Sequence, residues 1–169
     1  MPPRSDKRER LTAAAVDLAF DQGLERSTIA QIASAAGVPS GSVYYHFRTK
    51  EDVAAAIGGA LEEEVRAASE RWDGAGGPRE RLTAYIDEAA TAATGSRVGS
   101  VSLELRRHAG DDAGPERAFR ALIAWAAGQY RQLEFADEAA EARAMHLVTG
   151  MEGAALLAAV LGDTAPLER

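Results

Sequence analysis

The densest set of side chains suited to molecular recognition lies between residues 40 and 50. Ser40 and Ser42 carry short hydroxyls that suit phosphate oxygens or the edges of bases. Tyr44 and Tyr45 offer flat rings for thymine methyl groups and hydroxyls for phosphates. These residue types, at this spacing, favour contact with double-stranded DNA.

Three neighbouring residues support the same interpretation. Gly41 has no side chain, so the backbone there can approach a duplex closely. His46 and Lys50 supply positive charge, and Lys50 stands where a helix is predicted to begin, so that free backbone amides also attract phosphate. A unit built only for packing needs buried apolar residues such as Phe47. It does not need a glycine beside two tyrosines, a histidine and a lysine.

Short-range signals predict the helices that hold this segment. A first helix is predicted from about residue 7 to residue 22. Thr28 and Gln31 have the spacing of a capping box, which begins a second helix. Gly37 suits the turn that ends it, and Pro39 suits the first position of a third helix. A helix, a glycine turn and a second short helix are the ordered parts of a helix-turn-helix.

A longer helix is predicted to follow. Thr49 is its expected cap, with Glu51 and Asp52 in its first turn. Gly58 and Gly59 weaken its middle, where a bend or hinge is predicted. Its apolar positions keep helical spacing; they are Val53, Ile57, Leu61, Val65, Ala68 and Trp72.

The remaining segments also favour helix. Breaks are predicted at residues 73–78, 95–100 and 110–115, where glycine recurs. Residues 101–105, VSLEL, fit both a strand and a helix, and a helix is predicted because no partner strand is visible. The whole chain is therefore predicted to be all-α.

Two long helices are predicted to close the sequence. One carries apolar residues at helical spacing from residue 119 to residue 133, and the other spans about 137–161. Residues 153–161, GAALLAAVL, are apolar on every side, so every side needs burial. One side can meet the core of its own chain, whereas the other needs a partner. A homodimer is therefore predicted, the alternative being an ordinary central core helix.

Composition narrows the classes of protein. The 169 residues include no cysteine, which excludes disulfides and thiolate metal sites and favours a reducing, cytoplasmic location. No membrane helix and no signal peptide are predicted, because long unbroken apolar runs are missing and the first ten residues are charged. The net charge of −7 argues against binding to DNA, but the distribution of the charges along the chain does not. Residues 1–50 carry seven Lys or Arg and five Asp or Glu, a balance of +2, while residues 51–169 carry 12 and 21, a balance of −9.

The segment GLERSTIAQIASAAGVPSGSVYYHFRTKE, residues 23–51, resembles the signature of the TetR family of bacterial repressors. The matching positions are Gly23, Thr28, Ile29, Ile32, Ala33, Ala36, Gly37, Val38, Gly41, Tyr44, Tyr45, His46, Phe47, Lys50 and Glu51. The resemblance implies a helix-turn-helix DNA-binding domain over residues 1–50 and a ligand-binding and dimerisation domain over residues 51–169. Two later stretches, VGSVSLEL and ALLAAVLGDTAPLER, are weakly similar to a drug- and flavonoid-responsive branch of the family.

The same resemblance implies roles for individual residues on operator DNA. Contacts with base edges are expected from Ser40, Gly41 and Tyr44. Contacts with phosphates are expected from Thr28, Ser42, Tyr45, His46 and Lys50. Ala30 stands where some members of the family place an arginine that reads a base, so that contact is expected to be missing here.

The resemblance further implies a small hydrophobic effector, of unknown identity, bound among the later helices. In the family, the fourth helix transmits effector binding to the DNA-binding heads, so that a repressor releases its operator. Each candidate for the effector site is more often a plain core residue than a ligand contact; the candidates are Trp72, Tyr85, Leu103, His108, Phe119, Trp125 and Met145.

The sequence offers little support for an enzyme. It holds no nucleophile elbow, phosphate loop, zincin motif or dinucleotide fingerprint. His108 and His146 lack neighbouring ligand residues, so neither a metal nor another cofactor is predicted. The alternative function is a helical small-molecule-binding or dimerisation module without operator activity.

Overall fold

The computed structural model describes residues 4–91 and 96–167, with side chains from residue 6. These residues form eight α-helices and no strand, which confirms the all-α prediction. The helices are α1 (Arg4–Gln22), α2 (Ile29–Ala35), α3 (Ser40–Val43), α4 (Lys50–Asp73), α5 (Pro78–Ala90), α6 (Arg97–His108), α7 (Arg117–Gln132) and α8 (Asp137–Leu161). Two short 3₁₀ helices, Asp111–Ala113 and Ala165–Leu167, are also present.

The chain forms two compact units. The first comprises the residues up to Glu62 together with Ser100–Arg117, and the second comprises Glu63–Gly99 and the residues from Ala118 onward. This division reflects how the residues pack. The predicted boundary after residue 50 instead separates a DNA-binding part from a ligand-binding part. The functional boundary therefore stays a prediction.

Local hydrogen bonds build the helix-turn-helix of the first unit. The Gln31 amide donates to Thr28 Oγ1 at 3.2 Å and the Thr28 amide donates to Gln31 Oε1 at 2.9 Å, which confirms the capping box. Gly37 has a φ of +62°, and its amide and that of Val38 donate to carbonyls of α2. This bonding is a Schellman motif, whose left-handed residue favours glycine.

The start of α3 differs from the prediction by one position. Pro39 is the residue before the helix, not its first residue, because its ψ of 132° lies outside the helical region. Its carbonyl accepts the first bond, from the Ser42 amide at 2.8 Å. Helix α3 is also short, and the chain continues as a turn to residue 46.

Helix α4 begins as predicted. The Asp52 amide donates to Thr49 Oγ1 at 3.1 Å, and the Thr49 amide donates to Asp52 Oδ2 at 3.2 Å. The predicted apolar stripe of α4 is buried at all six positions. The helix runs without interruption past Gly58, where an added Cβ would overlap the carbonyl oxygen of Ala113. Gly58 thus permits a close approach between two backbones of the first unit.

The ambiguous segment at residues 101–105 is helical, as predicted, and lies within α6. Val101 and Leu105 are fully buried, four residues apart on one side of the helix. Glu104 lies between them, and its Oε2 accepts a hydrogen bond from the Leu24 amide at 3.0 Å. Helical spacing, and not the alternation of a strand, therefore determines which residues α6 buries.

Small residues form the buried side of α8 in the second unit. Ala155 and Ala158 are buried and cluster with Leu167. Five large apolar side chains of the same helix are exposed; they are Met145, Leu156, Leu157, Val160 and Leu161. The last two turns of α8 therefore pack alanines against their own chain and present Leu156, Leu157 and Leu161 outward.

Helix α8 is also long and apolar enough to span a membrane. It has 25 residues, and an 18-residue stretch of it has a mean hydropathy of 1.6, although no membrane helix is predicted from the sequence. The difference arises because His146, Thr149 and Glu152 interrupt any unbroken apolar run, while alanine, leucine and valine keep the mean hydropathy of the stretch high. Length and composition are weak evidence on their own, since core helices of soluble proteins meet the same criterion.

Candidate functional site

Two buried side chains anchor the segment after α3 to the first unit. Val43 and Phe47 are 1% and 0% exposed. The Phe47 amide donates to the Val43 carbonyl at 2.8 Å, so these residues lie one helical turn apart on the same side. The guanidinium of Arg8 lies 5.2 Å from the centre of the Phe47 ring. This anchoring fixes which residues of the segment face away from the core.

The outward side carries the residues predicted to touch DNA. Tyr44 is 60% exposed and Tyr45 is 88% exposed, which is unusual for rings of this size. Ser40 and Gly41 are exposed as well. The remaining members of the segment, Ser42 and His46, are half-buried. One face of the segment therefore combines hydroxyls, aromatic rings and accessible backbone.

Thr28 and Lys50 are exposed, but their polar groups already have partners within the first unit. The Thr28 hydroxyl and amide both belong to the capping box. The Lys50 ammonium donates to the carbonyl oxygen of Glu25 at 3.2 Å. A phosphate contact from Lys50 thus requires its flexible side chain to exchange this exposed bond for the phosphate.

A cavity of about 430 Å³ lies within the second unit. Its size falls in the range that holds small organic ligands. The residues that line it are Glu64, Val65, Ala67, Ala68, Arg71, Trp72, Tyr85, Glu88, Ala89, Ser96, Arg97, Val98, Leu122, Met151, Glu152 and Ala155. The lining is therefore mainly apolar, with a small set of charged groups.

Aromatic rings build one wall of this cavity. Trp72 packs edge-on against Tyr85 with ring centres 5.1 Å apart, and both are nearly fully buried. Trp125 lies behind them, 4.8 Å from Trp72, and its indole nitrogen donates to Asp73 at 3.0 Å. This interlocked packing holds the rings of the wall in fixed orientations.

Two ion pairs lie among the lining residues. Arg71 donates to Glu88 at 2.8 Å, and the same carboxylate accepts from the Trp72 indole at 2.8 Å. Arg97 lies 3.6 Å from Glu64. Both guanidinium groups at the cavity thus have a carboxylate close by.

Helix α8 contributes the carboxyl group of Glu152 to the cavity wall. Its Oε1 accepts a hydrogen bond from the Ser96 hydroxyl at 2.8 Å. Burial raises the pKa of the Glu152 carboxyl above its ordinary value, while the Ser96 hydrogen bond acts in the opposite direction. Burial, and secondarily the Glu152 charge, also raises the pKa of Tyr85, which keeps its phenol neutral. A half-buried carboxyl beside a neutral phenol is a polar anchor in an apolar chamber.

The structure separates the other predicted effector residues from this cavity. Of the seven candidates, Trp72 and Tyr85 line it and Trp125 supports the wall. Leu103 and Met145 are exposed, and Phe119 is half-buried away from the lining. His108 lies 3.7 Å from Glu104 in the first unit, where it borders a smaller cavity of about 230 Å³.

Glu152 is not among the residues predicted from the sequence to contact an effector. The residue does carry a signal, because it is the one Asp, Glu, Lys or Arg between residues 144 and 161. A lone charge in so apolar a stretch of a helix needs a polar partner or a function. Elsewhere, the described residues hold no group of three or more His, Asp or Glu side chains placed to hold a metal.

An exposed, hydroxyl-rich short helix held by a glycine turn in an all-α chain defines a helix-turn-helix protein. The sequence profile of the bacterial regulatory proteins of the tetR family matches residues 11–57. A repressor of Brucella suis, BepR, is 33% identical over 72 residues, which are 41% of this chain and 34% of that protein. The match therefore spans about a third of that relative's length.

Solved structures extend the likeness over the whole chain. A TetR transcriptional regulator from Legionella pneumophila has a TM-score of 0.83 at 21% identity, covering 99% of this chain and 93% of its own, which shows the shared fold. The regulatory protein TetR from Rhodobacter sphaeroides has a TM-score of 0.79 at 26% identity, covering 95% and 92%. Residues 11–57 are thus similar in sequence to the bacterial regulatory proteins of the tetR family, and the chain shares the fold of solved regulators of this kind.

Proposed function

We propose that this protein is a DNA-binding transcriptional regulator, a repressor that releases its operator when a small hydrophobic effector binds. The observation that carries the proposal is the pair of exposed tyrosines, Tyr44 and Tyr45, on a segment anchored by buried Phe47. Large exposed rings beside hydroxyls suit a nucleic-acid surface. In this proposal Ser40, Gly41 and Tyr44 contact base edges. Phosphates are contacted by Thr28, Ser42, Tyr45, His46 and Lys50.

The second unit supplies the regulatory part of the proposal. Its cavity has an apolar lining and a polar anchor, which together suit a small organic effector. Helix α4 carries Lys50 at its start and Trp72 of the cavity wall near its end. A shift of α4 on effector binding therefore provides a route from the cavity to the DNA-binding segment. A coupling free energy of about 1–3 kcal/mol is enough for a useful switch. The role is regulatory rather than enzymatic, and it is performed in the cytoplasm, where the DNA is.

The exposed leucines of α8 support the homodimer that an operator with two half-sites requires. Two identical heads about 34 Å apart match one turn of DNA. Leu156 is 64% exposed and Val160 is 72% exposed, and they lie on one side of the helix. A contiguous apolar surface of this kind marks an interface.

The direct test is binding of the full chain to DNA from promoter regions, followed by fluorescence anisotropy. The proposal requires affinity that depends on sequence and falls steeply with salt. Equal, weak affinity for every duplex would instead favour the alternative of a ligand-binding or dimerisation module without operator activity.

Tyr44→Ala is expected to lower affinity for the operator and to blur discrimination at one base pair. The expected loss is about 1–3 kcal/mol of discrimination, because a contact with a base edge is removed. Competition assays with operators substituted at single positions measure this effect. An unchanged preference at every position would place Tyr44 away from the bases.

Leu156→Glu is expected to break the dimer and, with it, tight operator binding. A carboxylate in the middle of an apolar interface must be desolvated without a partner. Sedimentation velocity measures the change in mass. Leu103→Glu is the matched control, since Leu103 is 49% exposed but lies on α6. If both variants remain dimeric, the interface lies elsewhere.

A further inference from the structure

The numbers of positive and negative groups that line the cavity are unequal. Its lining includes three carboxylates, those of Glu64, Glu88 and Glu152, and two guanidinium groups. Arg71 pairs with Glu88 at 2.8 Å, and Arg97 lies 3.6 Å from Glu64. Among residues 4–91 and 96–167, Glu152 has a hydrogen bond from Ser96 and no ion pair. With every carboxylate ionised, the lining carries one excess negative charge, and it lies at Glu152.

The hydrogen bonds around Ser96 hold the Glu152 carboxylate in place. Ser96 Oγ accepts from the Gly99 amide at 3.0 Å and donates to Glu152 Oε1 at 2.8 Å. Because its hydroxyl hydrogen points to Glu152, Ser96 caps the start of α6 and orients the carboxylate at the same time. A pre-oriented anionic acceptor needs little reorganisation to receive a cation.

The remainder of the lining suits an apolar body next to that charge. Trp72 and Tyr85 contribute aromatic rings, and Val65, Leu122 and Met151 contribute aliphatic or thioether surface. Aromatic faces also attract organic cations, most strongly where water is excluded. A carboxylate beside fixed aromatic rings is therefore complementary to a ligand that carries a positive charge on an apolar frame.

We infer that the cavity binds an organic monocation with an apolar, ring-containing body, whose charged nitrogen lies at the Glu152 carboxylate. That a cation of this class acts as the effector depends on the function proposed above. An anionic ligand is disfavoured, because both guanidinium groups already have carboxylates close by and Glu152 would repel it. A neutral ligand would fill the apolar space but leave the half-buried carboxylate without a counter-charge.

Cation binding is expected to depend on pH. Burial raises the pKa of Glu152 above its ordinary value of 4.5, and a bound cation favours the charged form and lowers the pKa again. The affinity for the cation is thus highest at a pH above the raised pKa and falls as the pH is lowered through it. In that pH range, binding of the cation releases a proton from Glu152. The charged or titratable groups that face the cavity with Glu152 are Glu64, Arg71, Tyr85, Glu88 and Arg97.

Calorimetric titration of the full chain with three related probes tests the inference. The probes are naphthylmethyl-trimethylammonium, naphthylpropanol and naphthylpropionate, which share an aromatic body and differ in charge. The cation is expected to bind at least about ten-fold more tightly than the other two. Glu152→Gln is expected to reduce the affinity for the cation by about ten-fold and to leave the affinity for the alcohol nearly unchanged.

Glu138→Gln is the matched control, because Glu138 is an exposed acid on the same helix. Glutamine at 152 can still accept the Ser96 hydrogen bond, so the variant is expected to fold, and its circular dichroism checks this. The inference is overturned if the cation does not bind at millimolar concentration. It is also overturned if the cation binds no better than the alcohol or carboxylate, or if Glu152→Gln leaves cation binding unchanged. Operator binding is measured separately, without any probe. A negative result for the cation would therefore not contradict the proposed DNA-binding function.

Discussion

Gly58→Ala is expected to destabilise the protein by about 1–3 kcal/mol, although alanine is the better helix former. An added Cβ at this position would overlap the Ala113 carbonyl oxygen and lie 3.2 Å from its carbonyl carbon. The obstacle is backbone, held in a 3₁₀ helix between Gly110 and Gly114, both of which have positive φ. Relief therefore requires a segment to move, and not a side chain to rotate. Urea denaturation measures the change in the free energy of unfolding.

Gly59→Ala provides the internal control. An added Cβ there has no heavy atom within 4 Å, so it meets open space. Alanine should then stabilise the helix by about 0.5–1 kcal/mol, because it restricts the unfolded chain and favours helix. Adjacent glycines in one helix are thus expected to respond with opposite signs. Equal responses at the two positions would show that the approach of Ala113 to α4 is not a constraint.

Phe47→Ala is expected to cost about 3–5 kcal/mol of stability and to abolish operator binding. Phe47 is 0% exposed, and it is among the largest fully buried side chains of the described residues. Its loss leaves a cavity directly beneath the proposed DNA-binding segment, which then has no fixed orientation. Thermal denaturation and anisotropy on the same preparation measure both effects.

The Tyr45→Ala variant distinguishes a role in contacting DNA from a role in packing the core. Tyr45 is 88% exposed, so its removal is expected to change stability by less than about 0.5 kcal/mol. Operator affinity should nevertheless fall, and evenly across operator sequences, because the proposed contact is with a phosphate. If Tyr45→Ala destabilised the protein as much as Phe47→Ala, the ring would be part of the core and not of a DNA surface.

Local signals in the sequence predicted the helix-turn-helix closely. Thr28 and Gln31 form their capping box within four residues of chain, and Gly37 provides the left-handed turn that few other residues adopt easily. Such features depend on neighbours in sequence, so they are legible before any tertiary contact is known. Pro39 was misplaced by one position because proline suits both the residue before a helix and its first residue.

Global packing could not be predicted in the same way. From the sequence, the two glycines of α4 predict a bend or hinge, and this stays a prediction. The structure adds that Gly58 admits the backbone of Ala113, which lies 55 positions further along the chain. The sequence shows which side chains the later helices carry, but which of them line a cavity depends on how the helices enclose space. Trp72 and Tyr85 therefore line it, while Leu103 and Met145 are exposed.

The sequence by itself determined the class of fold, the helix-turn-helix and the exposed side of its second helix and the turn that follows. It did so because capping, glycine turns and helical periodicity act over a few residues. The tertiary structure alone decided which chemical groups meet in the cavity. Ser96, which precedes α6, and Glu152 of α8 lie far apart in the chain, and their juxtaposition with the aromatic wall depends on the packing of the second unit.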